Sequence, residues 1–254
     1  MRNILAIAGK ELRGYFSSPI AYVVIGLFAL IFGWFFYVPL SFFNRQSMQM
    51  AMGQGGTLNI NQMLIAPMLT NAGVVILFLM PMITMRTYSE EKRSGTIELL
   101  LTSPVTDTQI ILGKFLGVLG LYGAILGITL IHTGILFIYG SPAWKPVVTG
   151  YLGLFLMGAS FLSIGLLISS LTKNQIVAGI ATFAIVLMLW VINWMGSFVG
   201  PTTQAVLSHL SITDHLDDFA RGVLDTKHLV YYLSFIAFGL FLTAKAVDSE
   251  RWRG

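Results

Sequence analysis

Few side chains in this sequence could do chemistry, and each has a plainer use. Ser160 lies in Gly158-Ala159-Ser160-Phe161, which is not the G-x-S-x-G turn of a nucleophile elbow, and no base is placed to activate it. His132 stands alone in an apolar stretch, where an imidazole could relay protons but more simply hydrogen-bonds between packed helices. Asp214, His215, Asp217, Asp218 and Arg221 include the donor types of a metal site. The same run also reads as a helix start, with Thr213 or Asp214 as cap and acids in the first turns, and that reading is preferred. Met48, Met50 and Met52 alternate, so in an extended strand their thioethers would share a face and suit Cu(I). In a flexible loop they would only fill gaps. The chain has no cysteine, which excludes disulfides and thiolate metal sites. No catalytic residue, metal or cofactor is expected.

The elements that position these residues are set by composition. The chain is 56% hydrophobic and 10% charged, against about 25% charged for a soluble domain. Its mean hydropathy is +0.79. This is the composition of a polytopic membrane protein, with the lipid bilayer as solvent. The net charge of +4 reflects topology and gives no ground for nucleic-acid binding. Six spans are expected, at residues 20–40, 66–85, 110–139, 147–171, 175–195 and 229–247, each near the roughly 20 apolar residues a bilayer core requires. The first is read as a retained span, because its charge-free run outlasts a signal peptide's apolar region. Lys and Arg divide eleven to four between the two sides, so the positive-inside rule puts both termini in the cytoplasm, an N-in/C-in arrangement. Residues 1–18 carry Ile4, Leu5, Ala8, Leu12, Tyr15 and Phe16 at helical spacing and suit a helix lying in the inner interface. Residues 196–228 are expected to form short extracytoplasmic helices that dip back toward the membrane.

Eight charged residues, Arg86, Glu90, Glu91, Lys92, Arg93, Glu98, Asp107 and Lys114, crowd into residues 86–114 between two apolar spans. Gly113-Lys114 is followed by Phe115, so no G-x-x-x-x-G-K-[ST] phosphate cradle exists. The proposed spans lack charge apart from Lys114 and Lys245 at the inner ends of the third and sixth, which argues against an ion-driven carrier. Thr106, Asp107 and Gln109 have the pattern of a capping box, so the third span should begin in the cytoplasm. Upstream, Ser94-Gly95 is a hinge. Residues 96–103 form a short apolar-rich element whose leucines need a surface to pack on, since so short a helix is unstable alone. In the third span, Gly113, Gly117, Gly120 and Gly127, with Ala124 and Gly134, make one small-residue face for close helix packing.

The run Glu90-Glu91-Lys92-Arg93-Ser94-Gly95-Thr96-Ile97-Glu98-Leu99-Leu100-Leu101-Thr102-Ser103-Pro104-Val105, with Leu112-Gly113-Lys114 and the early Lys10-Glu11-Leu12, resembles the signature of ABC-2 type transporter permeases. Residues 210–223 are similar to the gliding-motility permease branch, which is related to NosY-like permeases. The resemblance implies an all-α polytopic fold of six transmembrane helices in one domain, residues 1–254. It also implies an N-terminal interfacial helix and a cytoplasmic coupling helix between spans two and three, within residues 86–109. It implies that Glu90, Glu91, Arg93, Gly95, Thr96, Glu98 and Leu99 contact or shape the docking of an ATP-binding subunit. Two such ATPase subunits, a second permease copy and an extracytoplasmic auxiliary protein are the partners it implies. A bacterial-type inner membrane is the implied location. Export, or force transmission without transport, is the implied work.

Overall fold

The computed structural model describes residues 1–52, 59–102, 104–196 and 200–251. Among the described residues the regular structure is helical throughout. In chain order the helices are α1 (Arg2–Ser17), α2 (Pro19–Ala51), α3 (Ala66–Thr84), α4 (Ser89–Ser94), α5 (Ile97–Leu101), α6 (Asp107–Tyr139), α7 (Trp144–Leu171), α8 (Gln175–Gly196), α9 (Pro201–Leu210), α10 (Ile212–Ala220) and α11 (Thr226–Arg251). A π-helical turn, Asn61–Ile65, leads into α3. Six of these, α2, α3, α6, α7, α8 and α11, are long and apolar enough to cross a membrane. The chain is a multi-pass membrane protein.

The middle of the bundle is α7, which packs on α3, α6, α8, α10 and α11. Its glycines are what let neighbours approach. A Cβ on Gly158 would run into the Tyr122 ring, and one on Gly165 into Thr84, so these side chains of α6 and α3 sit directly against the α7 backbone. Tyr122 completes its contact by donating its hydroxyl proton to the Leu154 carbonyl at 2.6 Å. These close approaches on α7 were not expected from the sequence, which drew attention to α6 instead.

Two boundaries differ from the sequence expectation. The first membrane helix does not stop near residue 40 but continues through Pro39 and the polar run Asn44–Gln49 to Ala51. Apolar run length reports where a chain leaves hydrocarbon and not where its helix ends, and here the helix carries on past Pro39. Met48 and Met50 therefore stand about 200° apart on a helix, given about 100° per residue, and do not share the strand face drawn for them. At the opposite end, α10 is capped by Ser211, whose hydroxyl accepts from the Asp214 N–H at 3.3 Å, rather than by Thr213 or Asp214. The third span begins as expected. Thr106 Oγ1 accepts from the Gln109 N–H at 3.3 Å, and Gln109 Oε1 from the Thr106 N–H at 3.4 Å.

Candidate functional site

The segment between α3 and α6 forms a joint at the basic end of the bundle. Alone, α4 is too short to persist, because helix nucleation fixes several dihedrals for its first hydrogen bond. It is held instead by α7. Ser169 Oγ accepts from the backbone N–H groups of Tyr88 (3.0 Å) and Ser89 (3.1 Å), satisfying donors that the helix start leaves open, and donates to the Met85 carbonyl at 3.2 Å. Glu90 and Glu91 in its first turn and Lys92 and Arg93 in its last both suit the helix dipole.

Helical phase divides these charges. Tyr88, Ser89 and Lys92 are buried and Glu91 is nearly so, while Glu90, Arg93 and Ser94 face outward. Lys92 Nζ donates to the Ser170 carbonyl at the end of α7 and to the Glu250 carboxylate of α11. Lys114, on the first turns of α6, is 1% exposed. Its ammonium lies 2.9 Å from Glu11 Oε1, 2.9 Å from Glu91 Oε1 and 2.9 Å from the Thr87 carbonyl. Two of the ammonium's three donors are in hydrogen bonds, to Glu11 and Thr87, and Glu91 faces it as an ion pair. The Tyr88 ring sits 5.0 Å from the same nitrogen. Lys10 adds a 3.4 Å pair to Glu91 from the exposed side of α1. Tyr15 donates to the Ile83 carbonyl at 2.8 Å under the Arg86 guanidinium, and burial pushes its phenol up to about 12. Beside this lattice lies a cleft of about 390 Å³ between α1 and the turn after α3.

The outer surface of the joint is different in kind. Gly95 ends α4 at φ 74°, the left-handed conformation that a side chain disfavours. The chain reverses there into α5. Ile97 turns inward and anchors α5, whereas Thr96 and Glu98 are exposed and Leu99 is 73% exposed. Thr102 donates its hydroxyl proton to the Glu98 carbonyl at 2.9 Å and closes this short helix. Asn3 donates to Gln109 Oε1 at 3.2 Å, fastening α1 to the cap of α6.

A family model described as ABC-2 family transporter protein matches residues 5–239. The chain belongs to the ABC-2 transporter family. It is also similar to the probable multidrug ABC transporter permease YbhR of Escherichia coli strain K12 and of Escherichia coli O157:H7, at 33% identity over 116 residues in each case. That match covers 46% of this chain and only 29% of the relatives' length.

In this ABC-2 chain the seven residues expected at the docking surface do not all lie together. Glu90, Arg93, Gly95, Thr96, Glu98 and Leu99 are exposed, while Glu91 turns in toward Lys114 and Lys10. Sequence reasoning did not foresee the inward contacts of Lys92 and Lys114, nor the part that Glu11, Ser169 and Glu250 play in the joint. The signal available was the i, i+3, i+4 spacing of Tyr88, Glu91 and Lys92, which puts them on one face of a helix. The sequence places Lys114 in the charged segment and in the family motif but assigns it no partner. The small-residue stripe on α6 divides likewise. A Cβ on Gly113 would sit 2.7 Å from Ile7 Cβ and one on Gly117 2.6 Å from Glu11 Cβ, so α1 lies directly on both. Gly120 meets Leu12 at 3.5 Å, and the position of a Cβ on Gly127 has nothing within 4 Å.

Elsewhere, His132 packs edge-on against Phe32 and Phe36, with centroids 5.2 and 5.1 Å away. Ser160 donates to the Leu156 carbonyl of its own helix at 3.0 Å. Among the described residues no group of three or more His, Asp or Glu side chains is arranged to hold a metal ion. At the end opposite the joint, α10 buries Ile212, His215, Leu216, Phe219 and Ala220. Gly222, at φ 90°, then turns the chain back so that α11 brings His228 against His215. Asp217 and Arg221 line a separate polar cleft of about 590 Å³ with Gln62, Thr70 and Asn71.

Proposed function

We propose that this ABC-2 chain is the permease subunit of an ATP-driven exporter, receiving its energy from a separate ATP-binding-cassette subunit that docks on α4 and α5. The observation that carries this reading is the two-sided joint. Its inner face is pinned by Lys92 and Lys114 to four other helices, and its outer face offers Leu99, 73% exposed, in a segment where Glu90, Arg93, Thr96 and Glu98 are exposed too. An exposed leucine in a segment that also exposes charged side chains suits an apolar anchor that a partner covers. The absence of a phosphate-binding loop from the sequence assigns hydrolysis to that partner. Six membrane helices make half of a translocation path, so a second permease copy and two ATPase subunits complete the unit, in a bacterial-type inner membrane. The multidrug description of the E. coli relatives supports export.

A second reading keeps the same joint but has the chain pass ATP-driven motion to an extracytoplasmic partner. It is favoured by the polar cleft beside Asp217 and Arg221 at the far end, which gives such a partner hydrogen-bonding groups to hold. Both readings share one test. The chain is co-purified with its ATPase, and Gly95→Pro, Glu98→Lys and Leu99→Ala are compared with wild type. Loss of the complex, or a several-fold change in ATP hydrolysis at equal folded yield, is expected. Intact complexes with unchanged hydrolysis in all three variants sink the docking assignment. Vesicle transport assays on the intact complex then separate export from force transmission.

A further inference from the structure

At the far end of the molecule a line of hydrogen-bonding atoms runs unbroken from α9 to α10. The His209 carbonyl oxygen lies 3.3 Å from His215 Nε2, His215 Nδ1 meets His228 Nδ1, and His228 Nε2 lies 2.8 Å from Asp218 Oδ2. Both rings are buried, and the Tyr231 ring stacks on His215 with centroids 3.9 Å apart.

Proton counting on this line has one solution. A backbone carbonyl and an ionised carboxylate only accept hydrogen bonds, so both Nε2 atoms must carry protons. Between the two facing Nδ1 atoms there is room for one proton. With none, two lone pairs meet; with two, a pair of N–H bonds collide. The line therefore closes with three ring protons on two rings, whereas two neutral imidazoles hold only two. We infer that His215 and His228 together form a binding site for a single proton, with Asp218 as its counter-charge, and that this proton fastens α10 to α11.

The surroundings agree with one proton and not two. On α9 and its end the neighbouring titratable group is His209; α10 contributes Asp214 and Asp217 besides Asp218, α11 contributes Lys227, Tyr231 and Tyr232, and Asp225, just ahead of α11, acts on His228. The pocket over the pair, about 330 Å³, is lined by residues of these three helices. Burial holds His215 below the ordinary histidine value, and the charges of His228 and Lys227 act in the same direction against the His209 carbonyl. The sign of the linkage follows. A second proton is taken up more readily when the pair is apart, so the contact weakens as pH falls below the ordinary histidine value of about 6.5. The extracytoplasmic helix pair would thus loosen when the compartment it faces acidifies.

The test uses the full-length chain in lipid nanodiscs, labelled with ring-¹⁵N histidine. There are four histidines, and single His132→Gln and His209→Gln variants assign the spectrum. At about pH 7.5, above the ordinary histidine range, three protonated ring nitrogens are expected within the His215–His228 pair. A scalar coupling across the shared Nδ1–Nδ1 proton is expected too, and should vanish on acidification. Asp218→Asn should lower the count from three to two. Two protonated nitrogens in the wild type, an unchanged count in Asp218→Asn, or a spectrum altered by EDTA would each overturn the assignment.

Discussion

Lys114 is the residue on which the joint depends most. Its ammonium sits between Glu11 and Glu91 with almost no access to water, so its removal would leave two carboxylates facing each other in a partly buried site. Breaking a buried pair from one side costs about 3–5 kcal/mol, because the partner's desolvation is no longer offset. Lys114→Met is therefore expected to lower the thermal unfolding midpoint of the detergent-solubilised chain sharply. Adding Glu11→Gln and Glu91→Gln should recover most of the loss, since the triple variant has no unpaired charge. Arg93→Ala, on the exposed side of the same helix, is expected to stay within about 0.5 kcal/mol. Three residues apart would not have separated Glu90 from Arg93, and one residue apart does separate Glu90 from Glu91. Helical phase, not charge, decides which of them a partner can reach.

At the scale of elements, α1 is the clearest case of sequence and structure informing each other. Its amphipathic spacing was legible, and so was the glycine stripe on α6, but nothing in either stretch announced that one covers the other. That pairing rests on contacts more than a hundred residues apart along the chain, such as Asn3 with Gln109. Gly117→Val is expected to lift α1 from α6, because its Cβ would fall 2.6 Å from Glu11 Cβ and 3.0 Å from the Ala8 carbonyl. Overpacking of this kind costs about 1–3 kcal/mol, and faster proteolysis within residues 1–18 would report it. Gly127→Ala, with open space at its Cβ, should leave the fold of the single chain unchanged. The capping box of α6 was readable because capping is local in sequence. The capping of α4 by Ser169 was not, because its donors and acceptor are brought together only by tertiary packing. The histidine pair was half visible for the same reason: His215 stood out among acids, while His228 joins it only through the turn at Gly222.

For the whole molecule, burial is uneven in a way that invites a companion. α7 is enclosed on most sides, whereas α2, α8 and α11 present mostly open apolar faces, with Trp34, Ile180, Met188 and Phe238 among their exposed side chains. Lipid covers such faces, and so does a second copy of the chain. Native mass spectrometry of the complex formed with the ATPase is expected to show two permease and two ATPase chains; a one-to-one complex that still turns over ATP would contradict that assembly. The anchoring of the joint sets what such an assembly can do. Lys92 and Lys114 bind α4 to the ends of α1, α6, α7 and α11. A load applied at Leu99 therefore cannot be absorbed by α4 swinging on its own. On the proposed docking at Leu99, the basic end would act as a riveted plate and not as a crank: a push from the partner would tilt the helices tied to α4 together, bending at Gly95 and at whatever surface meets the other half.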